Sequence, residues 1–142
     1  MSAVFGTVVA GDSVCVLGQI IIKFIIEPIL EFRHLLGRFT QFFLRNQGEM
    51  ISAEGSESTE NELFVLASEL LQKRQAIIYY SRLSGLYGLP SSDKVLDAAK
   101  SINQIGNRVR TGKEERADEQ ERIYEAMRKI ESSLGINVSY NK

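Results

Sequence analysis

The side chains able to do chemistry are few and scattered along this chain. Asp12 lies inside an otherwise apolar stretch, and an ionisable group in such a place is a candidate functional residue by default. His34, the single histidine, has Glu31 one helical turn before it, the spacing of a pH-sensitive acid–base pair. Both fall on a polar stripe, however, and a solvated histidine is the simpler account. The run GNRVRTGKE at 106–114 resembles a phosphate-binding loop only superficially. Five residues separate Gly106 from Gly112, Glu114 stands where a metal-binding Ser or Thr belongs, and no strand precedes it. Ser91, Ser92 and Asp93 have no His or Lys arranged to activate a nucleophile, and helix capping explains them. Tyr79, Tyr80 and Tyr87 gather near a helix end and suit core and corner packing better than a ligand cage. Asn137, Val138 and Ser139 fit a glycosylation pattern, which is idle on the cytoplasmic side expected below. Cys15 is the only cysteine, so no internal disulfide forms, and one Cys with one His falls short of a zinc site. No paired catalytic groups converge. The expectation is a protein that is not an enzyme, with no catalytic residue, no metal site, no cofactor and no evident small-molecule substrate.

The elements that carry these residues are clearer than the chemistry. At 142 residues the chain has room for one core. Residues 1–47 hold four basic groups (Lys23, Arg33, Arg38, Arg45) and three acidic ones (Asp12, Glu27, Glu31), while the rest hold thirteen basic and fifteen acidic groups. No positive cluster marks a nucleic-acid partner.

Residues 4–22 contain a single charge, Asp12, over a length suited to a spanning helix. Val4, Phe5, Val8, Val9, Val14, Val16, Leu17, Ile20, Ile21 and Ile22 each favour insertion by roughly 0.3–0.6 kcal/mol, against a cost of about 2.5–3.5 kcal/mol for Asp12 near the centre. The balance is close to even or slightly favours insertion. A span over residues 13–30 instead leaves Asp12 at the outer interface and buries Lys23 and Glu27, which at i, i+4 could pair while Lys23 snorkels. Both registers stay open. Gly6 with Ala10, and Gly11 with Cys15, repeat a small-xxx-small spacing that hints at helix association.

Polar residues then recur at Lys23, Glu27, Glu31, His34, Arg38, Gln41 and Arg45, in steps of 4, 4, 3, 4, 3 and 4. Such steps keep pace with a helical turn and draw one line along its surface, leaving an apolar circumference rich in Phe and Leu. One helix therefore runs across Pro28, with a kink there because proline removes a backbone donor and crowds the preceding turn. A secretory signal is disfavoured, since no Lys or Arg precedes Lys23 and Asp12 interrupts the apolar run. The positive flank follows the apolar stretch and puts the C-terminal part in the cytoplasm.

Residues 46–61 are polar and acidic, with Glu49, Glu54, Glu57 and Glu60 and no basic group. They read as a flexible linker ending in a capping box, Thr59 to Glu62. A second helix follows, with Leu63, Leu66, Ala67, Leu70, Leu71, Ile77 and Ile78 on one face and a stop near Gly85, Gly88 and Pro90. Ser91 or Ser92 caps a third helix that buries Val95, Ala98, Ala99, Ile102, Ile105 and Val109 and ends at Gly112. A fourth starts near Lys113 or Glu114, buries Ile123, Ala126, Met127, Ile130 and Leu134, and stops at Gly135. On its outer face Asp118–Arg122 and Glu125–Lys129 form favourable i, i+4 pairs. Three helices of this length make a thin core, which the half of the first helix near residues 30–44 completes as a four-helix bundle.

The run from Lys23 to Gly37, KFIIEPILEFRHLLG, resembles the junction of an uncharacterised bacterial family with a single N-terminal membrane helix and a small helical cytoplasmic domain. The stretches 63–75, the 85–91 turn and 98–107 are similar to that domain as well, so the resemblance spans most of residues 20–136. The chain departs from the family in an anchor made more polar by Asp12 and Gln19. The resemblance implies an anchor and a helical domain and brings no catalytic activity.

The expected fold class is all-α: a long kinked N-terminal transmembrane helix plus three helices that form a small four-helix bundle with its C-terminal half. The expected divisions are a membrane anchor at 1–30, a docking part at 31–47, an acidic flexible linker at 48–61 and a helical cytoplasmic domain at 62–142. Membrane and docking candidates are Asp12, Lys23, Glu27, Pro28, Arg33, Arg38 and Arg45. The expected role is a membrane-tethered interaction or accessory protein, single-pass in the inner membrane with its N-terminus outside. Its partners would be the membrane and either a protein or another copy, with no nucleic acid. Two alternatives stand beside it: a small membrane-active effector of toxin, lysis or defence type, and a soluble helical oligomer subunit with its apolar N-terminus buried between chains.

Overall fold

A single unbroken helix of 50 residues, Ser2–Ile51, dominates the computed structural model, which describes residues 1–52, 56–111 and 116–140. Its parts are α1 (Ser2–Ile21), a wide π turn (Ile22–Ile26) and α2 (Glu27–Ile51). Then come α3 (Glu57–Ala76), the single turn α4 (Tyr80–Leu83), α5 (Ser92–Thr111) and α6 (Arg116–Leu134), with no strand among the described residues. The protein is all-α. Packing runs from α2 to α3, α3 to α5, α5 to α6 and α6 back to α2, which closes a four-helix bundle.

The core explains why α2 belongs to the bundle. Phe32, Leu35, Phe39, Phe42, Phe43 and Met50 are all buried, and their spacing of three and four residues keeps them on one face. The phenyl rings pack against one another, Phe39 stacking on Phe43 at 6.3 Å and Phe42 meeting Phe43 edge-on at 5.8 Å. Opposite them stand Leu63, Leu66, Ala67 and Leu70 of α3, Ala98, Ile102 and Ile105 of α5, and Ile123, Met127 and Ile130 of α6.

Pro28 has no N–H to give to the carbonyl of Phe24, and the wide turn lies directly before it. There the Glu27 N–H reaches back five residues to the Ile22 carbonyl. The polar line steps by four twice between Lys23 and Glu31, which overshoots two α turns by almost a residue. The π turn absorbs that surplus, and all seven stripe residues are exposed.

The linker expected at 48–61 is much shorter in the structure. α2 continues to Ile51 because fully buried Met50 holds its last turn in the core. α3 begins at Glu57, capped by Ser56, whose Oγ accepts from the Thr59 N–H at 3.3 Å. The expected Thr59–Glu62 box is therefore replaced by a cap three residues earlier. Thr59 Oγ1 instead donates to Glu49 Oε2 at 3.1 Å and ties the two helix ends together. Residues 53–55 of that expected linker lie outside the described residues.

α3 also ends sooner than its apolar spacing implies. Ile77 is buried but extended, Tyr79 is left-handed at φ 55°, and Ile78 is exposed. The expected stripe thus breaks at Ala76, well before Gly85. Of the tyrosines, Tyr80 is buried and Tyr87 half-buried, whereas Tyr79 points outward, against the expected corner packing of all three. Gly88, at φ +63°, supplies the left-handed turn that leads toward α5.

The α5 and α6 faces match the expected residues. Gly106 sits on α5, buried against the Phe64 ring, so its place is a helix–helix contact rather than a loop; Gly112, Lys113 and Glu114 lie outside the described residues. Gly135 at φ +67° stops α6, its N–H bonded to the Glu131 carbonyl at 2.8 Å. The tail then folds back, burying Val138 and giving the Val138 and Ser139 N–H groups to Glu131 Oε1. Asp118–Arg122 forms at 3.3 Å, whereas Glu125–Lys129 does not close: both chains lie on a surface where such a pair gains little.

Candidate functional site

The bundle positions one unusual feature: a helical stem that leaves it near Pro28, ahead of Phe32, the first buried residue among those described, and runs exposed toward Met1. No described side chain from residue 1 to 27 is buried, and only Gly18 and Ile25 are even partly covered. Val4, Val8, Val9, Val14, Val16, Leu17, Ile20, Ile21, Ile22, Phe24 and Ile26 are all exposed. Ser2–Ile26 at 1.5 Å per residue is about 37 Å long, against a hydrocarbon core of about 30 Å. This is one helix long and apolar enough to cross a membrane.

Polar groups on the stem divide into two kinds. Thr7 Oγ1 donates to the Ala3 carbonyl at 2.9 Å and Ser13 Oγ to the Val9 carbonyl at 2.8 Å, so both hydroxyls are satisfied within the helix. Asp12 has no partner among the described residues and stands exposed on α1. Lys23 lies in the π turn and Glu27 opens α2, both exposed, and they do not come within ion-pair distance. No neighbouring packing fixes either long side chain. Pro28, half-buried, marks where the stem meets the bundle.

Below that point the candidate arginines are held by the domain. Arg33 Nη2 donates to the Tyr87 carbonyl at 2.8 Å. Arg38 Nη1 bonds Glu69 Oε2 at 2.9 Å, and Arg45 Nη2 lies 3.6 Å from Glu62 Oε2. Lys73 Nζ bonds Glu31 Oε2 at 2.6 Å. Glu31, Arg38 and Arg45 thus face Lys73, Glu69 and Glu62 in reverse order, a charge ladder between antiparallel helices. His34 is exposed on the same surface. The ladder partners escaped sequence reasoning, although the mirrored order of charges at 62–73 was a usable signal once the helices are set antiparallel. The contact from Arg33 to a carbonyl had no such signal.

At the stem end, Tyr80 packs its ring 5.7 Å from that of Phe32 and donates its hydroxyl to the Pro90 carbonyl at 2.6 Å. Burial pushes the Tyr80 hydroxyl up to about 12, with the Arg74 charge pulling the other way. Among the described residues no three His, Cys, Asp or Glu side chains gather as a metal site requires. The arrangement is suited to holding an apolar rod at a set position on a compact domain.

No family model matches the chain, and no curated protein or solved structure matches it either.

Proposed function

We propose that this protein is a single-pass, membrane-tethered accessory protein whose stem crosses the lipid bilayer and holds the four-helix domain at the cytoplasmic face. The observation that carries this reading is the bare stem. Each large apolar side chain gains roughly 1.5–3 kcal/mol when removed from water, and the stem leaves more than ten of them outside the core. A continuous apolar surface of that kind marks an interaction with membrane or protein. Lys23, Arg33, Arg38 and Arg45 all follow the apolar stretch, which favours a cytoplasmic domain and an N-terminal end outside. The domain's mixed-charge surface would then meet a protein partner or another copy, concentrated at the membrane by the tether.

Asp12 favours a second reading. An unpaired carboxylate midway along the stem suits a bundle of stems from several chains, as in a helical oligomer. A reporter that fluoresces only in the cytoplasm, fused after Lys142, tests the topology. Fluorescence at the cell membrane supports the tether. Fluorescence spread through the cytoplasm supports the oligomer, and its loss through export overturns the orientation.

A further inference from the structure

The loop joining α3 to α5, residues 77–91, lies at the same end of the bundle as the stem. Two contacts place it there: Arg33 to the Tyr87 carbonyl, and the ring of Phe32 against that of Tyr80. This loop is where the domain shows its apolar side chains. Of the six large apolar residues exposed among the described part of 56–140, three lie in the loop, Ile78, Tyr79 and Leu86, and Leu96 follows in the first turns of α5. Leu86 is 81% exposed and Tyr79 68%, so neither rests on the domain. Tyr79 is held outward by a left-handed backbone at φ 55°, a conformation that is strained for an aromatic residue.

Charge divides the domain the same way. Segment 77–91 has one charged residue, Arg82, and the flanks at 73–94 add Arg74 and Lys94 against Asp93, with Lys73 paired to Glu31 of α2. The opposite end, among the described residues, carries Glu49, Glu57, Glu60 and Glu62 against Arg45 and Arg108, an acidic excess. Glu31–Lys73 at the stem end and Arg45–Glu62 at the far end fix which end is which. A domain tethered by its basic, apolar end and acidic at the other is oriented by an anionic surface.

We infer that the 77–91 loop is a second membrane contact. In it Ile78, Tyr79 and Leu86 enter the headgroup region of an anionic bilayer beside the stem, and Arg82 and Lys94 meet lipid phosphates. This rests on the tether reading, since it needs the stem in the same bilayer. Tyrosine suits that zone because its ring is apolar and its hydroxyl stays wet. The contact fixes which side of the domain faces lipid, where the stem alone leaves the whole molecule free to turn about the stem axis and to tilt with it.

The test uses the full chain with Cys15→Ser, reconstituted in vesicles of equal parts phosphatidylcholine and phosphatidylglycerol. Single cysteines are introduced by Leu86→Cys in the loop, Leu17→Cys in the stem and Gln120→Cys on α6, beside Ser52 at the far end. Each carries an environment-sensitive dye, quenched by spin-labelled lipid. The expected result is a blue shift and quenching for Leu86→Cys and Leu17→Cys, with neither for Gln120→Cys. Quenching for Leu86→Cys should weaken when phosphatidylglycerol is left out. Quenching for Leu17→Cys alone overturns the loop contact and leaves the tether standing. No quenching for either overturns both. A Leu86→Cys signal that depends on protein density rather than lipid charge identifies a second copy as the occupant, and also overturns the proposal.

Discussion

The Arg33 guanidinium donates a 2.8 Å hydrogen bond to the Tyr87 carbonyl, 54 residues further along the chain. It fastens the helix that leaves the bundle to the turn that leads into α5. Gly88 follows in a left-handed conformation, and a Cβ added there would sit 3.2 Å from the same Nη2. Gly88→Ala therefore meets both backbone strain, about 1–2 kcal/mol, and a displaced arginine. Arg33→Ala removes only the bond, worth about 1 kcal/mol at a water-exposed site. Denaturation of the detergent-solubilised chain should rank Gly88→Ala as the more damaging. Equal stability of Gly88→Ala and the parent would contradict the geometry.

The charge ladder between α2 and α3 makes a different kind of prediction. Its pairs are exposed and each contributes under about 1 kcal/mol. Arg38→Glu should lower stability slightly by facing Glu69 with a like charge. The double exchange with Glu69→Arg should recover most of the loss, and added salt should shrink both effects. A double exchange no better than the single one would deny the pairing.

Much of the bundle was legible because its apolar residues repeat at helical spacing. Phe32 to Phe43 on α2, Val95 to Val109 on α5 and Ile123 to Leu134 on α6 are buried as that pattern implies. The end of α3 was not legible. Ile77 and Ile78 continue its stripe, yet the backbone turns at Ile77 and Tyr79 so that Tyr80 can reach Phe32 and the Pro90 carbonyl. That is a tertiary contact overriding a local pattern. The start of α3 was misplaced for a similar reason: both Ser56 and Thr59 can cap, and only the Glu49 contact decides between them. Of the candidate site, Arg38 and Arg45 stood out by spacing alone, but their partners required the antiparallel arrangement of the helices.

Tyr80 gives the fold a distinct alkaline limit. Its hydroxyl ionises at about 12 in the folded chain against about 10 when unfolded. The folded state then holds the proton more tightly, so this contribution is complete below pH 10 and is lost as pH rises toward 12. Tyr80→Phe should cost about 1 kcal/mol at neutral pH through the lost bond to Pro90. It should also flatten the fall in stability between pH 10 and 12 relative to the parent. An unchanged alkaline slope would mean that Tyr80 does not set it.

In the register that spans residues 4–22, Asp12 is the one charge that insertion of the stem must bury. Replacing it should recover about 2.5–3.5 kcal/mol of insertion free energy if the residue lies near the bilayer centre. Asp12→Leu should then raise the inserted fraction in a translocon assay markedly. No change would place Asp12 at the outer interface and shift the span toward residues 13–30.

Membrane fractionation with an alkaline wash decides whether lipid covers the stem. The full chain should stay in the membrane pellet after the wash and enter solution only with detergent. Recovery in the detergent-free supernatant would contradict the account and assign burial of the stem to other protein chains.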